Sequence, residues 1–235
     1  MTARRLCCIV GILAVFLLPA TAWTQTRSPA LPATIPIFPL PELVLFPHVS
    51  VPLTIFEPRY RTMLMDAVQG DRIIGIVLLK PGYQENYEGR PPVYSIGCAA
   101  AITDVIAGLP DGRIGVVLRG LVKFRITGED ESRSYRLARI EQINEPVDAG
   151  EKVVLRRQRR QLEALLSRPG STSDLARLFP SLSDEELFNT LAHNMKVDVE
   201  QRQMLLERDG VLARSQAMLD LLAERIPPLK DNDRQ

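Results

Sequence analysis

Histidine, cysteine, lysine and tryptophan are all scarce in this 235-residue chain, which carries two, three, five and one of them respectively. The two histidines, His48 and His193, stand 145 positions apart, in neither H-E-x-x-H nor any close ligand spacing. That argues against a zinc site and leaves each histidine a structural or surface role. Cys7, Cys8 and Cys98 are too few for a disulfide framework. Cys98 lies in the small-residue run Gly97-Cys98-Ala99-Ala100-Ala101 and reads as a buried thiol; a redox role requires an exposed, low-pKa thiolate. Basic and acidic residues number 29 and 28, a net charge of +1, so no global field marks a nucleic-acid binder. Aromatics are 6% of the chain, so the core rests on Leu, Val, Ile and Ala. No G-x-x-x-x-G-K-[ST] loop, G-x-G-x-x-G turn or G-x-S-x-G elbow occurs. No lysine has the context that activates a Ser–Lys dyad. The sequence therefore offers no catalytic residue, no metal ligand and no cofactor motif. Its 46% hydrophobic and 24% charged residues are an ordinary globular balance, which excludes a disordered tail, a polytopic membrane protein and a fibre.

The hydrophobic residues are unevenly placed. Arg4 and Arg5 precede an uncharged run from Leu6 to Leu18, followed by Pro19 and Ala20-Thr21-Ala22. A basic start, a short apolar run and small residues at a cleavage site are the architecture of a secretory signal peptide. The expectation for residues 1–22 is an export signal cleaved after Ala22, giving a periplasmic protein. An anchor through residues 6–23, or a mis-set start and a cytoplasmic protein, are the alternatives; a membrane is a partner only if the segment is uncleaved. Cleavage leaves 27 basic against 28 acidic residues and only Cys98.

Nine of the 18 prolines lie between Pro19 and Pro58. Residues 23–34 read as a Pro-rich extended linker. From Ile35 to Pro47 the prolines alternate with large apolar residues, which reads as extended chain packed on a core or as an edge strand. Residues 35–146 carry strand signals at 51–56, 73–79, 93–106, 114–126 and 135–143, with turns at 82–92 and 109–112. They hold one helix, opened by Glu57-Pro58, with Tyr60, Met63, Leu64 and Ala67 at helical spacing and Gly70 at its end. After Pro146 the pattern becomes helical over 147–228. Residues 150–166 place Val153, Val154, Leu155, Leu162, Leu165 and Leu166 on one side, and Pro169-Gly170-Ser171 breaks that helix. Ser183-Asp184-Glu185-Glu186 forms a capping box. Asp198 caps the next helix, and Val211 to Ile226 is the last, stopped by Pro227-Pro228. Residues 229–235 are a polar tail. The fold class read from this order is α+β.

Two charged groupings stand out. Arg156, Arg157, Arg159 and Arg160 read as a solvated helix face, with no interleaved aromatics to favour phosphate-backbone binding. Glu57 reads as serving a helix N-terminus, and Arg59 as pairing with an acid or a strand-end carbonyl.

Several stretches carry a family resemblance. They are Ile37-Phe38-Pro39-Leu40, Leu43-Val44-Leu45-Phe46-Pro47, and Pro52-Leu53-Thr54-Ile55-Phe56-Glu57-Pro58-Arg59-Tyr60. Further along come Ile96-Gly97-Cys98-Ala99, Leu109-Pro110-Asp111-Gly112 and Gly120-Leu121-Val122-Lys123-Phe124-Arg125-Ile126. With these, residues 35–144 resemble the N-terminal substrate-binding domain of ATP-dependent Lon proteases. Leu191-Ala192 and Met204-Leu205-Leu206-Glu207 extend the likeness into the helical half. The resemblance implies a PUA-like β pseudobarrel with one early helix, followed by a C-terminal helical bundle. It also implies a non-catalytic module that holds unfolded or extended polypeptide segments, because the family's ATPase and peptidase lie in later domains for which 235 residues leave no room. A groove lined by Leu43, Phe46, Phe56 and Tyr60 is the expected polypeptide-binding surface. A cytoplasmic adaptor to a Lon-type protease and a PUA-like nucleic-acid binder are the alternative roles; the near-neutral charge and the leader argue against the second. Fractionation of the host with N-terminal sequencing tests the export reading: the expected product is periplasmic and begins at Trp23, whereas a full-length cytoplasmic product contradicts it.

Overall fold

A computed structural model of the chain describes residues 30–109, 112–166 and 181–225. The leader, residues 23–29 of the linker, Pro110-Asp111, Pro169-Gly170-Ser171, Ile226 to Pro228 and the tail lie outside the described residues. The elements run β1 (Thr34–Leu40), β2 (Ser50–Ile55), α1 (Pro58–Gln69), β3 (Ile73–Leu78), β4 (Ile96–Ile106), β5 (Ile114–Asp130), β6 (Arg136–Ile143), α2 (Ala149–Leu166), α3 (Asp184–Asn194), α4 (Val199–Glu207) and α5 (Gly210–Arg225). The α+β expectation holds: six strands form one sheet, in the order β2-β5-β4-β3-β1-β6, and β6 also pairs with β5. Five strands thus close a ring, and β2 pairs with the first part of β5, Ile114 to Arg119, on the edge that β6 takes further along.

β1 makes this closure possible. Its first half, Thr34 to Ile37, pairs antiparallel with β6, and its second half, Ile37 to Leu40, pairs parallel with β3. A proline removes a ladder donor and belongs where no partner waits. Ala33 accepts from Ile140 and Leu40 accepts from Leu79, so alternation turns Pro36 away from β6 and Pro39 away from β3. The expected edge strand is therefore two half-edges in one strand.

The inside of the ring is narrow. Ile35, Ile37, Val77, Ala99, Phe124 and Ala138, from all five ring strands, form a separate buried cluster. Phe124 fills it, fully buried. A Cβ on Gly75 or Gly97 would come within 2.7 or 2.9 Å of the Phe124 ring, so those two positions must be glycine for the ring to fit. The bulges in β4 lie at Ala99/Ala100 and Ile102/Asp104, beyond Gly97, which is there for close approach.

The outer face of the sheet carries the larger core, shared with the helices. α1 buries Tyr60, Met63, Leu64 and Ala67 as its spacing requires. Ser183 and Glu186 form the capping box at the start of α3, whereas the Asp198 side chain makes no capping hydrogen bond at α4. α2 departs from expectation: it buries Leu155, Gln158 and Leu162, while Val153 and Val154 are exposed. α2 packs against α5 and α3, so only the narrow stripe at spacings of three and four is covered. Arg156, Arg157 and Arg160 are solvated as read, but Arg159 is partly buried and bonds Glu163, Asp184 and the Leu182 carbonyl, tying α2 to the start of α3.

Strands and helices are joined by a buried charge cluster. Lys123 on β5 meets the Glu145 carboxylate at 2.6 Å, and Arg214 on α5 meets the same carboxylate at 2.7 and 2.8 Å. Arg214 is fully buried and also donates to Asn189 Oδ1 and the Leu205 carbonyl; Lys123 donates to the Arg208 carbonyl. Burial lowers the Lys123 pKa even though Glu145 opposes the shift. One carboxylate thereby bridges two cations from the two halves of the molecule.

Cys98 is buried as expected, and burial pushes its thiol up to about 12. His48 is exposed with a positive φ of 68°. His193 places Nδ1 3.0 Å from the Val44 carbonyl, so that nitrogen carries the proton, and burial lowers its pKa.

Three outcomes follow from these contacts. Glu145→Gln leaves two buried cations unneutralised and is expected to cost about 3–5 kcal/mol in chemical denaturation; Phe124→Ala empties the ring and is expected to cost a similar ~3–5 kcal/mol. His193 is held neutral when folded, so the unfolded chain binds its proton first. Stability is therefore expected to fall as pH drops below about 6.5, the unfolded value. That part of the pH slope disappears in His193→Asn.

Candidate functional site

The two halves of β1 leave a gap in the wall of the ring. Beyond the Ile37–Arg136 pair, β1 and β6 part. A cleft of about 220 Å³ lies there, between Pro39, the start of α1, the 87–91 segment and the Ser134–Arg136 end of the β5–β6 connection.

Local contacts build its walls. Glu57 is the N-cap residue of α1, but its side chain makes no capping hydrogen bond; its carboxylate instead accepts from Arg59 Nε at 2.9 Å and from the Tyr87 hydroxyl at 2.7 Å. Arg59 also donates to the carbonyls of Glu88 and Tyr87. Its guanidinium lies 4.8 Å from the Tyr60 ring centroid and 5.4 Å from that of Tyr87. Of the two roles read for these residues, the pairing of Arg59 is present, and Glu57 stands at the N-terminus of α1 while its carboxylate also anchors the loop through Tyr87. On the facing wall Arg136 pairs with Glu129 and donates to the Pro91 carbonyl at 2.6 Å. Arg90 bonds the carbonyls of Asp130 and Arg133, and Tyr135 donates to Asp66 at 2.7 Å. Burial, reinforced by these carboxylates, pushes the phenols of Tyr87 and Tyr135 up to about 12.

Tyr60 differs from its neighbours. It is 6% exposed and packs against Phe38 at 4.5 Å between ring centroids, with the rings tilted by 46°. It lines the cleft, and its hydroxyl has no hydrogen-bond partner among the described residues.

The four residues expected to line one groove are dispersed. Phe46 is fully buried in the core beside Arg214. Leu43 is half-buried against the core, Phe56 is 59% exposed, and Tyr60 faces the cleft. Phe56 follows the Ile55–Ile114 pair and Ile106, 50% exposed, faces Gly115, so these two apolar side chains flank the start of β5. Sequence reasoning missed Tyr87, Arg90, Tyr135 and Arg136. Aromatic residues inside the polar 82–92 loop were the available signal, because solvated loops seldom carry them without a packing partner. Among the described residues, no group of three or more His, Cys, Asp or Glu is arranged to hold a metal ion.

Residues 34–224 match the family model of the ATP-dependent protease La (LON) substrate-binding domain, and the chain belongs to that family. It is 28% identical over 200 residues to the Lon protease of Trichlorobacter lovleyi, covering 82% of this chain and 24% of that one. It is 26% identical over 207 residues to Lon protease 2 of Myxococcus xanthus, with 85% and 24% covered. The chain thus spans about a quarter of the length of the curated relatives it matches. Among solved structures, the N-terminal domain of Mycobacterium avium complex Lon protease superimposes with a TM-score of 0.64 at 19% identity, over 81% of this chain and 98% of that one. A Lon N-terminal domain protein from Xanthomonas campestris gives 0.55 at 22% identity, over 80% and 97%. These two establish the fold.

The cleft wall is testable on its own. Tyr87→Phe removes one bond to the half-buried Glu57 carboxylate and is expected to cost about 1 kcal/mol in urea denaturation; an unchanged midpoint shows that Glu57 does not anchor the loop.

Proposed function

We propose that this protein is a non-catalytic substrate-recognition module that holds extended or unfolded polypeptide segments and is exported to the periplasm. The observation that carries the binding role is the match of residues 34–224 to a substrate-binding domain. The matched region is that domain alone, which favours recognition without catalysis. The closed five-strand ring and the following helices favour a PUA-like pseudobarrel with a C-terminal bundle. Export rests on the basic, apolar and small-residue order of residues 1–22.

Two surfaces suit the role. The Tyr60 cleft offers aromatic and proline walls beside hydrogen-bonding groups, and Phe56 with Ile106 offers exposed apolar anchors. Large apolar side chains supply most of the affinity in such contacts, and scattered contacts along an extended segment supply its orientation. At tens of micromolar, the purified protein is expected to slow the aggregation of thermally unfolded citrate synthase, followed by light scattering. Phe56→Ser is expected to weaken that effect without lowering the melting temperature. A wild-type protein that neither slows aggregation nor binds peptides overturns the reading.

A further inference from the structure

The Tyr60 cleft is rich in donors and poor in acceptors. Its lining carries three guanidiniums, those of Arg59, Arg90 and Arg136, against one carboxylate, the exposed Glu88. The carboxylates that hold two of these arginines, Glu57 and Glu129, stand outside the lining and are already occupied: Glu57 accepts from Arg59 and Tyr87, and Glu129 accepts from both sides of the Arg136 fork. A guanidinium has five N–H donors. Arg136 uses three of them within the protein, two on Glu129 and one on the Pro91 carbonyl. Arg59 uses Nε on Glu57, Nη2 on Glu57 and the Tyr87 carbonyl, and one Nη1 hydrogen on the Glu88 carbonyl. The Tyr60 hydroxyl lines the same cleft and has no hydrogen-bond partner among the described residues. The hydroxyl opens onto the cleft and is free to donate to a ligand that accepts.

Resting on the polypeptide-binding reading, we infer that this cleft receives a carboxylate of the bound chain, held by the Tyr60 hydroxyl and the arginine N–H groups on either side. A carboxylate has two oxygens and accepts the parallel donors of a guanidinium. The cleft, about 220 Å³, is smaller than the roughly 300–1,000 Å³ of small-molecule sites. It therefore takes one residue of a longer ligand rather than a free cofactor. The three arginines are balanced by Glu57, Glu88 and Glu129, so the group is held by short-range hydrogen bonds and not by a long-range field. Both a C-terminal carboxylate and an Asp or Glu side chain supply this chemistry.

Dodecapeptides tiling β-casein, an unstructured chain, distinguish the sources. Each is labelled at its N-terminus and made in three forms: C-terminal acid, C-terminal amide, and amide with every Asp and Glu replaced by Asn and Gln. Binding to the purified full-length protein is read by fluorescence anisotropy. Binding tiles are expected to weaken about tenfold when their carboxylate is removed. Loss on amidation identifies the C-terminus, and loss only on the further replacement identifies a side chain. Tyr60→Phe removes only the phenolic oxygen and is expected to weaken the acidic forms about tenfold, leaving the neutral forms unchanged. Arg90→Gln, on a more exposed wall, is the second variant and is expected to weaken the same forms. Equal binding of acidic and neutral forms overturns the carboxylate inference while the polypeptide reading stands. Unchanged binding in both variants overturns the placement in this cleft. No binding of any tile up to ~100 μM overturns the polypeptide reading itself.

Discussion

The Glu145 carboxylate is the contact on which the arrangement of this molecule depends. It stands in the short segment between the last strand and the first of the four later helices, and it binds one cation from β5 and one from α5. A buried ion cluster is weak evidence for net stability, because desolvation offsets the Coulombic gain. Its effect here is positional. Apolar faces slide over one another at little cost, whereas an unpaired Arg214 or Lys123 in the interior is strongly disfavoured. In the observed docking of the helices on the sheet, both cations share the carboxylate while Arg214 also reaches Asn189 and the Leu205 carbonyl. The helical half is thereby held in register with the strands.

A second constraint acts inside the ring. Five strands enclose little space, and Phe124 occupies it against two alanines and two glycines. Closing the ring around one aromatic side chain forces β1 to serve two neighbours in succession, and this leaves the wall open where its halves change partner. The cleft is a consequence of that change. Pro39 faces it because a residue without a donor is tolerated where no strand follows, and Tyr60 reaches it from α1 with its ring packed at a tilt against Phe38. The prolines, the small ring and the cleft are one geometrical fact seen from three positions.

Much of this was legible from residue order. The period of Tyr60, Met63, Leu64 and Ala67 placed α1 and its buried face, the capping box placed α3, and the strand signals lay within a few residues of the strands. Local chemistry sufficed in each case, because helix periodicity and caps depend on neighbours in sequence. The stripe on α2 was misjudged at Val153 and Val154, since its width depends on how many helices pack against it. The expected groove was misjudged for a similar reason: Phe46 and Phe56 look alike in sequence, yet one lies under Arg214 and the other in solvent.

The sequence by itself determined the family, the α+β class, the early helix and the burial of Cys98, all of which rest on local patterns or on strings of matching residues. Only the tertiary structure decided that β1 is shared between β3 and β6, that Glu145 joins Lys123 to Arg214 across 22 and 69 positions, and that Tyr60 meets Arg90 and Arg136 in one cleft. Those contacts join residues far apart in the chain. Their partners are chosen by closure of the ring and by the cost of buried charge, and neither is written in any short stretch of residues.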